Sequence, residues 1–336
     1  MADIKRTFHV IDSHTAGTPT RVIMDGIPTL NGKSMSEKKR LFRENYDYIR
    51  TTLMQEPRGN SGVVAVVVPP SQPEADLGLI FGDYRGYVDM CIHGTIGVVT
   101  TLIECGLVKK ELIESGRIVF DTPAGLVRTQ ARMRNSDQGR VVEAVSVSSV
   151  PSFFVENVKL NLRDGRSVMA SIAFGGNFYA YVNSKELEVR LVPSNIRKIL
   201  EIARELLGEL RNVNVSHPEI SSIKGVTGVS LFENTDQLHA RNIMIAENDL
   251  FDRSPCGTGT CGRMAVLHAT GNLSRGEEFM NQSIIGSEFV GKIKDVTKVG
   301  GYSAISPEIT GSAYLTGVAD LVVSKEDKLG AGFIIG

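Results

Sequence analysis

The chain carries no surplus of charge: 37 Lys plus Arg stand against 38 Asp plus Glu in 336 residues. No basic stripe and no acidic tail breaks that balance, which argues against a surface built for nucleic acid. No apolar run reaches the roughly 18 residues that a transmembrane helix needs. The N-terminal MADIKRTFHVID runs into a strand pattern without the apolar region of a signal segment. Low-complexity segments and long linkers are missing as well. Cysteine is scarce, four residues in all, two of them in glycine-rich loops, which suits a reducing compartment better than a disulfide framework. These absences lead us to expect a cytoplasmic protein with neither nucleic-acid nor membrane partners.

What the chain does have is one segment written twice. CIHGTIGVVTTLIECG, from Cys91, recurs at an offset of 165 residues as CGTGTCGRMAVLHATG, from Cys256. Cys91 matches Cys256, Gly94 matches Gly259, Thr95 matches Thr260, Gly97 matches Gly262, Leu102 matches Leu267 and Gly106 matches Gly271. Each copy reads as a loop entering a helix, with Gly106 or Gly271 where a helix C-terminus favours a left-handed residue. The Cys then sits at the helix N-terminus, where unpaired N–H groups and the dipole favour anions. There a thiol should ionise more readily, and the same N–H groups can hold a carboxylate. A thiolate and a thiol that face one carbon atom can remove a proton from one side and return one on the other.

Three other uses of these residues compete. A buried Cys is most often a small hydrophobe, a reading the repeat weakens for Cys91 and Cys256 and leaves standing for Cys105 and Cys261. Cys91, His93, Cys256 and Cys261 could supply zinc ligands, but their spacing matches no compact zinc pattern. Gly257-Thr258-Gly259-Thr260-Cys261-Gly262 fits G-x-G-x-x-G, with Glu277 twenty residues beyond Gly257. A dinucleotide fingerprint follows directly from a strand, whereas Asp252-Arg253-Ser254-Pro255 intervenes here, and the other copy has Ile92 in place of the first glycine.

At this length two lobes are expected, with a boundary near Thr122-Pro123-Ala124-Gly125, the first carrying Cys91 and the second Cys256. Ser34-Met35-Ser36-Glu37 is a capping-box pattern that opens a helix to about Met54. Ser194 opens another, with Ile196, Ile199, Leu200, Ala203, Leu206, Leu207 and Leu210 on one stripe. Strands are expected over Thr7–Ile11, Gly62–Val68, Arg117–Phe120, Val141–Val147, Ser167–Ile172, Arg241–Ile245 and Ala319–Val323.

With these residues in hand, the chain resembles the proline racemase family, which includes 4-hydroxyproline epimerases and trans-3-hydroxyproline dehydratases. The resemblance runs almost end to end through IDSHTAGTPTRVI, EPRG at 56–59, DMCIHGTIG at 89–97, FGGNFYA at 174–180, DRSPCGTGT at 252–260 and EITGSAYLTG at 308–317. It implies a diaminopimelate-epimerase-like α/β (α+β) fold. Two pseudo-symmetric lobes would each wrap a curved mixed sheet around a central helix, and the C-terminal strand would return to the first lobe, making it 1–124 plus about 320–336 and the second 125–319. It implies a homodimeric, cofactor-independent isomerase acting on proline and 4-hydroxyproline, with Cys91 and Cys256 as the two bases. N–H groups of Ile92, His93, Gly94, Gly257 and Thr258 would hold the carboxylate, and His93 and Asp252 would meet the ring nitrogen.

No cofactor is implied, and no Lys lies in either copy to form a pyridoxal Schiff base. His14 and Asp12 read as structural, and His217 as a weak site candidate in a surface loop. Departures from the family pattern bear on substrate. Proline-specific members line the ring with two Phe, where Val64 and Ala246 stand here, implying a roomier pocket. The His that meets the ring hydroxyl in hydroxyproline epimerases is missing near Thr227-Gly228, and Ile92 replaces the usual Gly. Dehydratases carry Thr in place of the second Cys, which makes that activity the lesser alternative, together with a non-catalytic amino-acid-binding protein.

Overall fold

The structure is a computed structural model that describes residues 4–59, 62–137 and 139–335. The chain forms two compact units, Met1–Val147 with Ser312–Gly336, and Ser148–Gly311. The first unit is therefore larger than expected. Thr122 and Gly125 pair across the turn of a hairpin inside it, so the Pro-Ala-Gly signal marks a tight turn, while the crossing between units follows a strand at Val147.

In chain order the first unit holds β1 (Ile4–Thr15), β2 (Thr18–Ile23), α1 (Met35–Met54), β3 (Val63–Val68), β4 (Leu77–Gly82), β5 (Tyr87–Val88), α2 (Ile92–Glu104), α3 (Lys110–Ser115), β6 (Arg117–Thr122), β7 (Gly125–Ser136) and β8 (Gly139–Ser148). The second holds β9 (Ser152–Asn161), β10 (Ser167–Phe174), β11 (Phe178–Asn183), α4 (Ile196–Leu210), β12 (Val226–Asn234), β13 (His239–Ile245), α5 (Gly257–Ala269), β14 (Glu278–Ser283), β15 (Glu288–Val299) and β16 (Tyr302–Gly311). The chain then returns to the first unit as β17 (Ala313–Ser324).

The two units are built alike. In the first, β17 pairs antiparallel with β1, β1 with β2, β3 with β4 and β6 with β7, while β2 runs parallel to β3 and β4 to β6. In the second, β9 pairs antiparallel with β10, β10 with β11, β12 with β13 and β14 with β15, while β11 runs parallel to β12 and β13 to β14. The correspondence is strand for strand, and β9 takes the place in the second unit that β17 takes in the first. In the second unit β15 pairs with β16 and β16 with β9, closing a barrel of eight strands.

Each sheet wraps a helix whose residues are almost all buried. α2 is buried from Ile92 to Ile103 and α5 from Gly257 to Leu267, rich in small and apolar residues although α5 also buries Arg263. On its other face the first sheet carries α1, whose Phe42, Ile49 and Leu53 pack with Phe8, Val10, Val64, Val66, Val68 and Ile80. α4 is amphipathic and buries Ile199, Ala203, Leu206, Leu207 and Leu210, which is the expected stripe without its two flanks, Ile196 and Leu200.

The helix ends follow local chemistry. Ser34 caps α1 by accepting the Glu37 N–H; the Glu37 carboxylate reaches back to the N–H of Lys33, one residue earlier than a capping box requires. Ser194 does not cap α4: a single 3-10 turn over Pro193–Asn195 leads in, and no side chain caps the first α-helical turn. Among the described residues no helix is long and apolar enough to cross a membrane.

Candidate active site

Both repeated cysteines are helix N-caps, which is the geometry their spacing predicts. Cys91 Sγ accepts the N–H of Gly94 at 3.4 Å, and Cys256 Sγ accepts that of Gly259 at 3.3 Å. Thr95 Oγ1 donates to the Cys91 carbonyl at 2.7 Å, and Thr260 Oγ1 to the Cys256 carbonyl at 2.8 Å. At the far ends Gly106 and Gly271 take φ of 65° and 73°. The N–H groups of Leu107 and Asn272 then reach back to the carbonyls of Leu102 and Leu267, both at 2.8 Å, closing each helix with the same 6→1 bond.

The shared glycines are explained by what a Cβ would strike. At Gly94 it would lie 2.7 Å from the Phe81 ring, and at Gly259 2.9 Å from Cys256 Sγ. At Gly97 it would meet Ser13 and Thr20 at 3.0 Å, and at Gly262 the Tyr181 hydroxyl at 2.2 Å. Gly257, Gly259 and Gly262 thus lie inside α5, where Gly259 and Gly262 clear space for a thiol and a tyrosine, and the dinucleotide reading of G-x-G-x-x-G has no strand-to-helix turn to occupy.

The two thiols have different neighbours. His93 places Nδ1 at 3.4 Å and Nε2 at 3.7 Å from Cys91 Sγ, and its carbonyl accepts from Thr15 Oγ1 at 2.8 Å. At the equivalent place in the other copy stands Thr258, with Oγ1 at 3.8 Å from Cys256 Sγ and 2.9 Å from the Tyr179 hydroxyl. Asn177 Nδ2 donates to that hydroxyl at 3.3 Å. Tyr181, fully buried and held protonated by that burial, donates to the Gly259 carbonyl at 2.8 Å.

The backbones differ too. Cys91 is extended, at φ −144° and ψ 108°, whereas Cys256 sits at φ 61° and ψ 101°, a region costly for any residue but glycine. Buried polar groups hold it there. Ser254 Oγ accepts the Cys256 N–H at 3.2 Å and donates to Asp252 Oδ1 at 3.1 Å. The Pro255 carbonyl accepts from Asn242 Nδ2 at 2.9 Å and Asn281 Nδ2 at 3.3 Å. Asp252, named from the sequence, is thereby tied to Cys256 through Ser254, which the sequence reading passed over. The signal lay in view inside DRSPCGTGT, as it did for Asn177 and Tyr179 inside FGGNFYA. Asn242 and Asn281 stand in no motif.

Other expected residues divide. Ile92 and His93 open α2, and Gly257 and Thr258 open α5. Ala246 is buried just after β13, its N–H bonded to the Leu250 carbonyl at 2.8 Å, in the turn that leads to Asp252. Val64 belongs to the core beneath α1: alternate residues of β3 face α1, and Val64 shares that face with Val66 and Val68. Asp12 accepts two bonds from Arg21, of 2.9 and 2.8 Å, and His14 accepts the Gly17 N–H at 3.2 Å.

His217 is not a surface residue. It is buried, its Nδ1 accepts the N–H groups of Glu219 and Ile220 at 3.2 and 3.1 Å, and its ring packs edge-on to Phe153 and Phe174. Burial lowers its basicity. The other two thiols sit in surroundings that suppress ionisation: burial, with Glu104 nearby, raises Cys105, and complete burial raises Cys261 far more.

Comparison with known proteins agrees with this geometry. Residues 10–334 match the proline racemase family. The proline racemase of Clostridioides difficile is 40% identical over 98% of both chains, and the 4-hydroxyproline 2-epimerase of Streptosporangium roseum is 38% identical over 98% of this chain and 99% of that one. A hydroxyproline epimerase of Agrobacterium vitis, solved with trans-4-hydroxy-L-proline bound, superposes with a TM-score of 0.91 at 30% identity, covering 98% of this chain and 96% of that one. With both cysteine-capped helices inside a match that runs nearly end to end, the chain belongs to the proline racemase family and is an isomerase, a racemase or epimerase.

Proposed function

We propose that the protein inverts the α-carbon of proline and of 4-hydroxyproline without a cofactor, using Cys91 and Cys256 as its two bases. The observation that carries this reading is the pair of equivalent helix N-termini, each capped by a thiol that accepts an N–H three residues on. A donor aimed at sulfur favours the thiolate, and so does the positive end of the helix dipole. One thiolate takes the α-proton and becomes a thiol. The electron pair left on carbon spreads into the carboxylate. The second thiol delivers its proton to the opposite face and becomes a thiolate, so each turnover leaves the enzyme poised for the mirror-image substrate.

The carboxylate is where negative charge grows, and backbone N–H groups at a helix N-terminus are already oriented to meet it. Ile92 and His93 from α2, and Gly257 and Thr258 from α5, supply such groups. His93 and Asp252 are assigned to the ring nitrogen. The names of the relatives support both rings, and Ala246 is the residue we assign to ring space in the second unit.

The test follows conversion of L-proline and of trans-4-hydroxy-L-proline by optical rotation in deuterium oxide, with no added cofactor. Product should carry deuterium at the α-carbon from its first appearance. Cys91→Ser and Cys256→Ser should each lower interconversion by roughly a thousandfold or more, with Cys105→Ala near the parent. Full activity in either Ser variant would remove the two-base assignment. A ketimine formed from trans-3-hydroxyproline would replace it with dehydration.

A further inference from the structure

The two copies of the motif differ beside their thiols: His93 stands by Cys91 where Thr258 stands by Cys256. Thr258 is not alone. Asn177 Nδ2 can only donate, so the Tyr179 oxygen accepts from it at 3.3 Å. Thr258 Oγ1 lies 2.9 Å from the same oxygen, in reach of the tyrosine's proton, and 3.8 Å from Cys256 Sγ, in reach of its own. With the donors in that order each bond strengthens the next. All three residues are buried.

We propose that Asn177 and Tyr179 are positioning residues which orient the Thr258 hydroxyl so that it donates to the Cys256 thiolate. The chain places a hydroxyl beside Cys256 where the His93 imidazole stands beside Cys91. Two adjustments of the backbone give it room. A Cβ at Gly175 would fall 2.2 Å from the Thr258 carbonyl, so the FGG turn must be bare for the start of α5 to approach it. The Tyr181 hydroxyl fixes the Gly259 carbonyl from the same strand.

Among the described residues of this unit, the titratable groups near Cys256 include Tyr179 and Tyr181 on β11, Asp252 through Ser254, and Cys261 and Arg263 farther along α5. Arg263, brought down to about 10 by burial, remains a cation at neutral pH. The neighbouring strands contribute Phe154, Ala173, Phe232 and Met244, none of which titrates.

The catalytic consequence rests on the two-thiol chemistry above, but the chain itself is testable without turnover. Alkylation by iodoacetamide, followed for each cysteine peptide by mass spectrometry across a range of pH, reports the ionisation of Cys256 with Cys91 as internal control. Taking away the partner that orients the Thr258 hydroxyl, in Tyr179→Phe, should move the Cys256 profile upward by about one pH unit and leave Cys91 in place. Thr258→Val should move it at least as far, and Thr258→Ser should restore it. In turnover, kcat should fall with KM little changed. A parent-like Cys256 profile in Thr258→Val overturns the proposal, as does an equal shift of both cysteines in folded Tyr179→Phe. Should Tyr179→Phe fail to fold, the Val and Ser pair decides the matter. Loss of racemisation in Cys256→Ser, by contrast, bears only on the two-base reading.

Discussion

Cys256 and His217 show how single residues are set by buried neighbours far away in sequence. Holding Cys256 at φ 61° costs on the order of 1–3 kcal/mol, which the bonds from Asn242, Asn281, Ser254 and Thr260 offset. His217 gives a pH prediction. Burial lowers its folded pKa below the ordinary value of about 6.5, so the folded state binds its proton less readily than the unfolded chain. Its contribution is complete above that ordinary value and is lost as pH falls through it toward the folded pKa. His217→Asn keeps an acceptor for the Glu219 and Ile220 N–H groups and removes the titration. We expect a lower thermal midpoint at pH 7.5 but a smaller drop between pH 7.5 and 5.5 than the parent shows; equal drops would clear His217. The two thiols were legible because one chain wrote them twice. The bond from Tyr179 to Thr258 spans 79 residues, and no local pattern announces a partner at that distance.

At the scale of elements, hydrophobic period and punctuation fixed most boundaries. The strands expected from β-branched runs all form; β3 begins one residue later than expected, at Val63, and the others are longer, because sheet pairing recruits flanking positions that have no strand pattern of their own. The pairing order was not legible, since it is decided by which faces α2 and α5 can bury. Gly262 marks such a decision. Ala is ordinarily about 1 kcal/mol better than Gly inside a helix, but here its Cβ would press on the Tyr181 hydroxyl at 2.2 Å. Gly262→Ala should destabilise the protein by about 1–3 kcal/mol. Tyr181→Phe removes the obstructing oxygen and leaves the nearest ring carbon at 3.1 Å. The double variant should therefore be more stable in urea than the two single effects predict, by about 1 kcal/mol or more. Strict additivity would show that the hydroxyl is not what excludes a methyl group.

For the whole molecule, the second unit is an uninterrupted segment, Ser148–Gly311, inserted into the first. Its ends are held together, the Ser149 N–H donating to the Pro307 carbonyl at 3.0 Å and Ser148 Oγ to Glu308 at 3.3 Å. Its barrel closes on itself through β16 and β9. Residues 148–311 expressed alone should fold with a cooperative thermal transition. Residues 1–147 alone should not, because β1 lacks β17; joining 312–336 back by a short linker should restore folding. Cooperative unfolding of the 1–147 fragment would show that β17 is dispensable. The expected boundary near Thr122 placed β7 and β8 in the wrong unit. A Pro-Ala-Gly turn looks the same whether it joins two strands or two lobes.

The pairing of β1 with β17 also orders events at the ribosome. His9 meets Asp320 across 311 residues, so the first strand synthesised waits for the last before its edge is covered. The inserted barrel is complete before β17 emerges. The half bearing Cys256 can therefore fold during translation, while the half bearing Cys91 keeps an open strand edge until almost the whole chain has been made.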